Sequence, residues 1–214
     1  MQSIGQILTG LKPDIKTQDM PRTTRTWNPE PLRCSPDDQS GNTIPAEWHR
    51  VDARLQAAIK TAYESGRWPW YIHGVAGGGK TCAAAFVYRT FPTDKNQWGE
   101  PLNFFWDCGK ACRSLVCARA NYEEWQEKRK IQCASIIVLD DVATREPTGP
   151  QLDALLSIIN WRAGSPLIAT GNASPAELAD YLHDDRVVSR LCAGVIIEVT
   201  GRDKRLQTAL NIKV

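Results

Sequence analysis

Apolar positions are sparse and irregular over residues 1–44, then recur with a regular spacing from Pro45 onward. Val51, Leu55, Ile59 and Ala62 share one helical face, with Pro45 suited to a first turn and ESGRWP (64–69) ending the helix. WYIHGV (70–75) predicts a buried strand, and a helix is predicted from Lys80 towards Thr90. A second strand, LNFFW (102–106), leads into a long helical region over roughly 107–130. SIIVLDD (135–141) is an unbroken apolar run ending in two acids, which suits a central parallel strand. Leu152, Leu155, Leu156 and Ile159 mark a helix closed by Gly164 and Pro166. PLIATGN (166–172) is a fourth strand. SPAE (174–177) is a capping box with proline at the first helical position, opening a helix through Tyr181. GVIIEVT (194–200) is a fifth strand. Strands alternating with helices in this way predict an α/β domain whose sheet is mostly parallel and covered on both faces.

Residues 1–44, polar and punctuated by proline, read as a flexible arm ahead of the domain at 45–214. One stripe interrupts the arm. Ile4, Ile7, Leu8 and Leu11 fall on one side of a short helix, which is unstable alone and needs a surface to dock on, in its own domain or in a partner. The chain of 214 residues is 42% apolar and 23% charged, so it suits a soluble domain of ordinary size with a short appendage. A net charge of +2 gives no global attraction to nucleic acid, so a basic surface must be local or must arise on assembly. The seven cysteines show no disulfide framework and read as free thiols of a reducing compartment. Cys108, Cys112 and Cys117 lack the paired spacing and histidine partners of a zinc site. Neither a secretory signal nor a membrane-spanning run is visible, and a cytoplasmic protein is expected.

The densest chemistry lies between the first strand and its helix. Gly74, Val75, Ala76, Gly77, Gly78 and Gly79 precede Lys80, Thr81 and Cys82, and the spacing G-x-x-x-x-G-K-T fits the phosphate-binding loop in full. Its glycines let backbone N–H groups turn inward around phosphates, and the helix N-terminus adds its dipole. Lys80 is placed to reach the β- and γ-phosphates of ATP, and Thr81 to give a hydroxyl to Mg²⁺. Asp140 and Asp141 end the central strand, and acids there face the crevice beyond the carboxyl ends of a parallel sheet. Asp140 is the candidate for holding Mg²⁺, through water, and Asp141 for orienting or deprotonating the attacking water. Asn172 ends the next strand and is placed to position that water or contact the γ-phosphate. Arg186 and Arg190, four apart, share a helix face; a guanidinium donated by a neighbouring subunit stabilises charge on a transferring phosphoryl group.

Taken in order, these segments resemble the AAA+ ATPases of the DnaC/IstB type, which comprise replicative helicase loaders and transposition helper ATPases. The resemblance runs from about Trp48 to Arg205 and is most specific in the acidic strand end, the "TGN" strand, the "SPAEL" helix, "SRL" and the last strand. It implies a P-loop NTPase three-layer sandwich with a five-stranded sheet of order 5-1-4-3-2 and no C-terminal helical lid, since the chain stops soon after Val199. It further implies a Walker A role for Gly74 to Thr81, a Walker B role for Asp140 and Asp141, and a sensor role for Asn172. Arg190 would be the arginine finger, with Arg186 as the alternative, and Arg205 a basic residue near the nucleotide. Many members carry histidine where this chain has Cys82, a position that contributes mainly its backbone N–H.

The same resemblance implies homo-oligomers with shared ATP sites, weak hydrolysis by the isolated chain, and single-stranded or duplex DNA as partner. Lys110, Arg113 and Arg119, in the helical region after the second strand, are the DNA-binding candidates. A replicative helicase is the expected protein partner, contacted by the arm; a transposase is the alternative. A nucleotide kinase would share the loop and the chain length but would leave Asp140–Asp141, "TGN" and "SRL" without a role. A nucleotide-gated scaffold would bind ATP and barely hydrolyse it.

Overall fold

The computed structural model describes residues 51–92 and 103–201. The arm with Ile4, Ile7, Leu8 and Leu11, and also Arg205, lie outside the described residues. Helix α1 (Ala53–Ser65) begins where the Asp52 carboxylate accepts from the Arg54 amide, and ends at Gly66 in the left-handed conformation. The helix expected to include Val51 therefore starts after it, although Val51 is buried in the same core. Strand β1 (Trp70–Gly74), helix α2 (Lys80–Thr90) and strand β2 (Asn103–Asp107) follow.

The long helical region expected next is two helices, α3 (Cys108–Ala120) and α4 (Glu124–Cys133). Between them Tyr122 takes a left-handed φ of 59°. The Glu123 amide reaches back to the Ala118 carbonyl at 2.7 Å, a helix-ending pattern usually marked by glycine and here carried by Asn121-Tyr122. Then come β3 (Ile136–Val142), α5 (Gly149–Trp161), β4 (Leu167–Gly171), α6 (Pro175–Leu182), α7 (Asp185–Leu191) and β5 (Val195–Val199). Ser174 and Glu177 form the expected capping box on α6.

The strands lie in the order β2-β3-β4-β1-β5, which is the expected 5-1-4-3-2 read from the other edge. Every pairing is parallel. Alternation along the strands divides the core into two layers. Ile136, Val138, Ile168, Trp70 and Ile72 pack on the face covered by α1 and α2. Ile137, Leu139, Leu167, Ala169 and Tyr71 pack on the opposite face under α3 to α7. Each fully buried branched side chain contributes roughly 1.5–3 kcal/mol, so the two layers hold the sheet rigidly. Parity then fixes the functional groups: Asp140 and Thr170 continue the rows of Val138 and Ile168, towards α2. Among the described residues no helix is long and apolar enough to cross a membrane.

Candidate functional site

The glycine loop joins β1 to α2 at the carboxyl end of the sheet. Gly74 sits at φ 122°, and a Cβ there would overlap the Val199 carbonyl of β5. That carbonyl also accepts from the Val75 amide at 3.0 Å, so the edge strand and the loop are fitted to each other. Gly79, at φ 93°, caps α2 in the left-handed region and turns the loop into the helix. Lys80 is 6% exposed, and its ammonium donates to the Gly74 carbonyl at 2.9 Å and to the Val75 carbonyl at 2.8 Å. A third bond goes to the Asn172 side-chain oxygen, also at 2.9 Å, which joins the loop lysine to the tip of the fourth strand.

Thr81, on the first turn of α2, lies against the end of β3. Its hydroxyl donates to the Asp140 carboxylate, with oxygen separations of 3.0 and 3.2 Å. The Thr170 hydroxyl donates to the same carboxylate from β4. Burial raises the Asp140 pKa above its ordinary value, opposed by the Thr170 bond and augmented by the Asp141 charge; the Thr81 bond also lowers it. Asp141 is exposed and stands at φ 58°, with its amide donating to the Thr170 hydroxyl oxygen at 3.1 Å.

The two arginines on α7 differ in their surroundings. Arg186 is held by Asp184 through two bonds, Nε to Oδ1 at 3.0 Å and Nη2 to Oδ2 at 2.7 Å. Arg190 is exposed, and its guanidinium donates to the Arg186 carbonyl at 3.0 Å. On the far side of β3, Lys110 and Arg113 are exposed on α3. Arg119 is engaged within the fold, 2.9 Å from Glu124 and 2.7 Å from the Ser157 hydroxyl, so it ties α3 to α4 and α5. Lys110 lines a cleft of about 150 Å³ together with Trp106, Lys130 and Glu127; none of its lining residues belongs to the glycine loop.

No protein-family model matches the sequence, and no curated protein matches it. Solved structures match in fold. The DnaC helicase loader superposes with a TM-score of 0.58 at 17% identity, over 73% of this chain and 97% of that one. The chain has the fold of the DnaC helicase loader. DnaI gives a TM-score of 0.55 at 19% identity, over 73% and 95% of the two chains. The replication initiator DnaA, in a structure bound to AMPPCP and single-stranded DNA, gives 0.56 at 18% identity. That alignment takes in 72% of this chain but 47% of the DnaA chain, so the present chain spans about half the length of DnaA.

Within this fold, the Thr81 hydroxyl and the Asp140 carboxylate are an oxygen pair of the kind that suits a small hard cation, and such an ion would offset the burial and the neighbouring Asp141 charge that disfavour the ionised carboxylate. Among the described residues no cluster of three or more His, Cys, Asp or Glu forms, so Mg²⁺ here would take its remaining ligands from phosphate and water. Sequence reasoning missed Thr170, which is fully buried and bonds to both acids. A hydroxyl near the end of an otherwise apolar strand is the one mark it leaves in the sequence, and it does not distinguish Thr170 from the threonines that strands favour for their β-branching.

Proposed function

We propose that this chain binds ATP with Mg²⁺ and hydrolyses it, and that assembled copies act on DNA and a replicative helicase as a loader does. The observation that carries the reading is the convergence of Lys80, Thr81, Asp140 and Asn172 from three separate segments around one loop. Incoming phosphate oxygens replace the two loop carbonyls as partners of the Lys80 ammonium, and the dipole of α2 adds to the attraction. Thr81 and Asp140 would hold Mg²⁺, which draws charge from the phosphate oxygens. Asp141, exposed beside Asp140, orients a water and takes its proton as that water bonds to the γ-phosphorus. The bond from the γ-phosphorus to the bridging oxygen breaks, giving ADP and inorganic phosphate. Asn172, already within reach of Lys80, follows the γ-phosphate. Arg190 of an adjoining copy supplies the guanidinium that stabilises the transferring group; Arg186 serves this less well because Asp184 engages it.

A helicase is preferred to a transposase because the alignments take in nearly the whole of the DnaC and DnaI chains. DNA contact is assigned to Lys110 and Arg113, repeated around an assembly, with Arg119 contributing chiefly by fixing α3. The test is equilibrium binding of a fluorescent ATP analogue together with phosphate release. Lys80→Ala is expected to weaken binding roughly tenfold or more. Asp141→Ala is expected to keep binding and lower turnover about 100-fold. Unchanged turnover in Asp141→Ala would leave a nucleotide-gated binding module in place of an ATPase. Pull-down with a non-hydrolysable ATP analogue separates the partners: recovery of a transposase instead of a helicase would redirect the reading.

A further inference from the structure

We propose that Thr170 is a positioning residue for the magnesium site: one hydroxyl, lodged in a slip between two strands, aims the Asp140 carboxylate at Thr81 and pins the backbone of Asp141. The inference rests on the nucleotide-binding reading above and adds to it a residue that reading does not use.

The geometry begins with register. Pairing between β3 and β4 runs Ile137 to Leu167, Val138 to Ile168 and Leu139 to Ala169, then shifts so that Val142 meets Gly171. Asp140 and Asp141 together therefore oppose the single residue Thr170. A bulge of this kind breaks the backbone ladder and bends the strand, and the groups it releases need other partners. Thr170 supplies them with its side chain. Its oxygen accepts from the Asp141 amide at 3.1 Å, in place of a backbone carbonyl, while its proton goes to the Asp140 carboxylate. Donor and acceptor are used together, so the hydroxyl has one orientation.

Strand alternation turns Thr170 to the same side as Ile168, the side of α2, where Thr81 stands. The Asp140 carboxylate is thus gripped by two hydroxyls, one from the helix that starts at the loop and one from the neighbouring strand. Without the second grip the carboxylate is held by Thr81 alone, and the left-handed Asp141, at φ 58°, loses the bond from its amide to Thr170. Thr170 is fully buried, so water does not replace the bond directly.

The test titrates Mg²⁺ into the full chain with a fluorescent ATP analogue. Thr170→Val keeps the shape of the side chain and removes the hydroxyl; the half-saturating Mg²⁺ concentration is expected to rise roughly 10- to 100-fold. Affinity for the analogue without Mg²⁺ is expected to stay within about threefold. Thr170→Ser keeps the hydroxyl and is expected to return the Mg²⁺ requirement to within about threefold of the wild type. A packing role predicts the reverse ranking, with valine tolerated and serine harmful, and that result overturns the proposal.

The wild-type chain gives a second measurement that depends on no variant folding. The Asp141 amide, at an exposed strand tip, exchanges slowly with solvent because Thr170 accepts from it. Exchange at the rate of an unfolded chain overturns the proposal, as do equal Mg²⁺ requirements in wild type and Thr170→Val; both leave nucleotide binding standing. A wild-type chain whose affinity for the analogue ignores Mg²⁺ overturns the parent reading and this inference with it.

Discussion

The Asp140 carboxylate is ionised at a cost to the fold that holds it. Its partly buried carboxyl has a raised pKa, mainly through loss of hydration. The unfolded chain ionises this group near the ordinary value and the folded chain only at higher pH. Folding is therefore favoured below the ordinary value, and that advantage is lost as pH rises through the folded value. At pH 7 the ionised group opposes the nucleotide-free state. Asp140→Asn is expected to raise the melting temperature of nucleotide-free protein at pH 7, on the order of a few degrees, with the gain shrinking towards pH 4. The same variant should lose the extra stabilisation that Mg²⁺ adds to ATP, and thermal melts across pH with both ligands check the two effects. The convergence of Thr81 and Asp140 beside the glycine loop was legible in the sequence, because the loop pattern and the acidic end of an apolar strand place those residue types at the same end of a parallel sheet. Thr170 was not legible, because threonine is what strands favour on β-branching alone. Its role depends on a register slip that exists only after two strands pair.

At the scale of elements, Arg162 carries a load that periodicity does not reveal. It is 2% exposed, and its guanidinium donates to the carbonyls of Ile131, Ala134 and Pro166. These are the end of α4, the entry to β3 and the entry to β4. Burial lowers its pKa to about 10, which leaves it protonated at neutral pH. One cation thus ties the approaches to both strands whose tips hold Asp140 and Asn172. Arg162→Met keeps the bulk but removes three hydrogen bonds, with the Pro166 carbonyl retaining the Ile137 amide as a donor at 3.2 Å; it is expected to cost about 2–4 kcal/mol, read by denaturant unfolding. Affinity for ATP in the folded fraction should be little changed. Helix and strand identities were readable from apolar spacing, whereas the break at Tyr122 was not, since no glycine or proline marks it. Val51 was also placed inside α1, whereas the Asp52 carboxylate caps the Arg54 amide and starts the helix after it; Pro45 lies outside the described residues.

For the whole molecule, the strand order followed from the resemblance, and strands that all run parallel explain why the loop, Asp140 and Asn172 lie together at their carboxyl ends. The assignment of Arg190 to a neighbouring copy is a statement about assembly. Mixing Lys80→Ala with Arg190→Ala protein is expected to restore turnover that neither variant has alone, because a mixed interface pairs an intact loop with an intact arginine. Phosphate release across mixing ratios checks this, and absence of rescue at every ratio would refute the trans assignment.

The fit between Gly74 and Val199 has a mechanical corollary. Strand β5 lies at the margin of the sheet, with β1 as its only strand neighbour among the described residues. Its terminal carbonyl fills the space that a side chain at position 74 would need, and holds the next amide. A displacement of that rim strand is therefore expected to carry the glycine loop with it, with no slack between them.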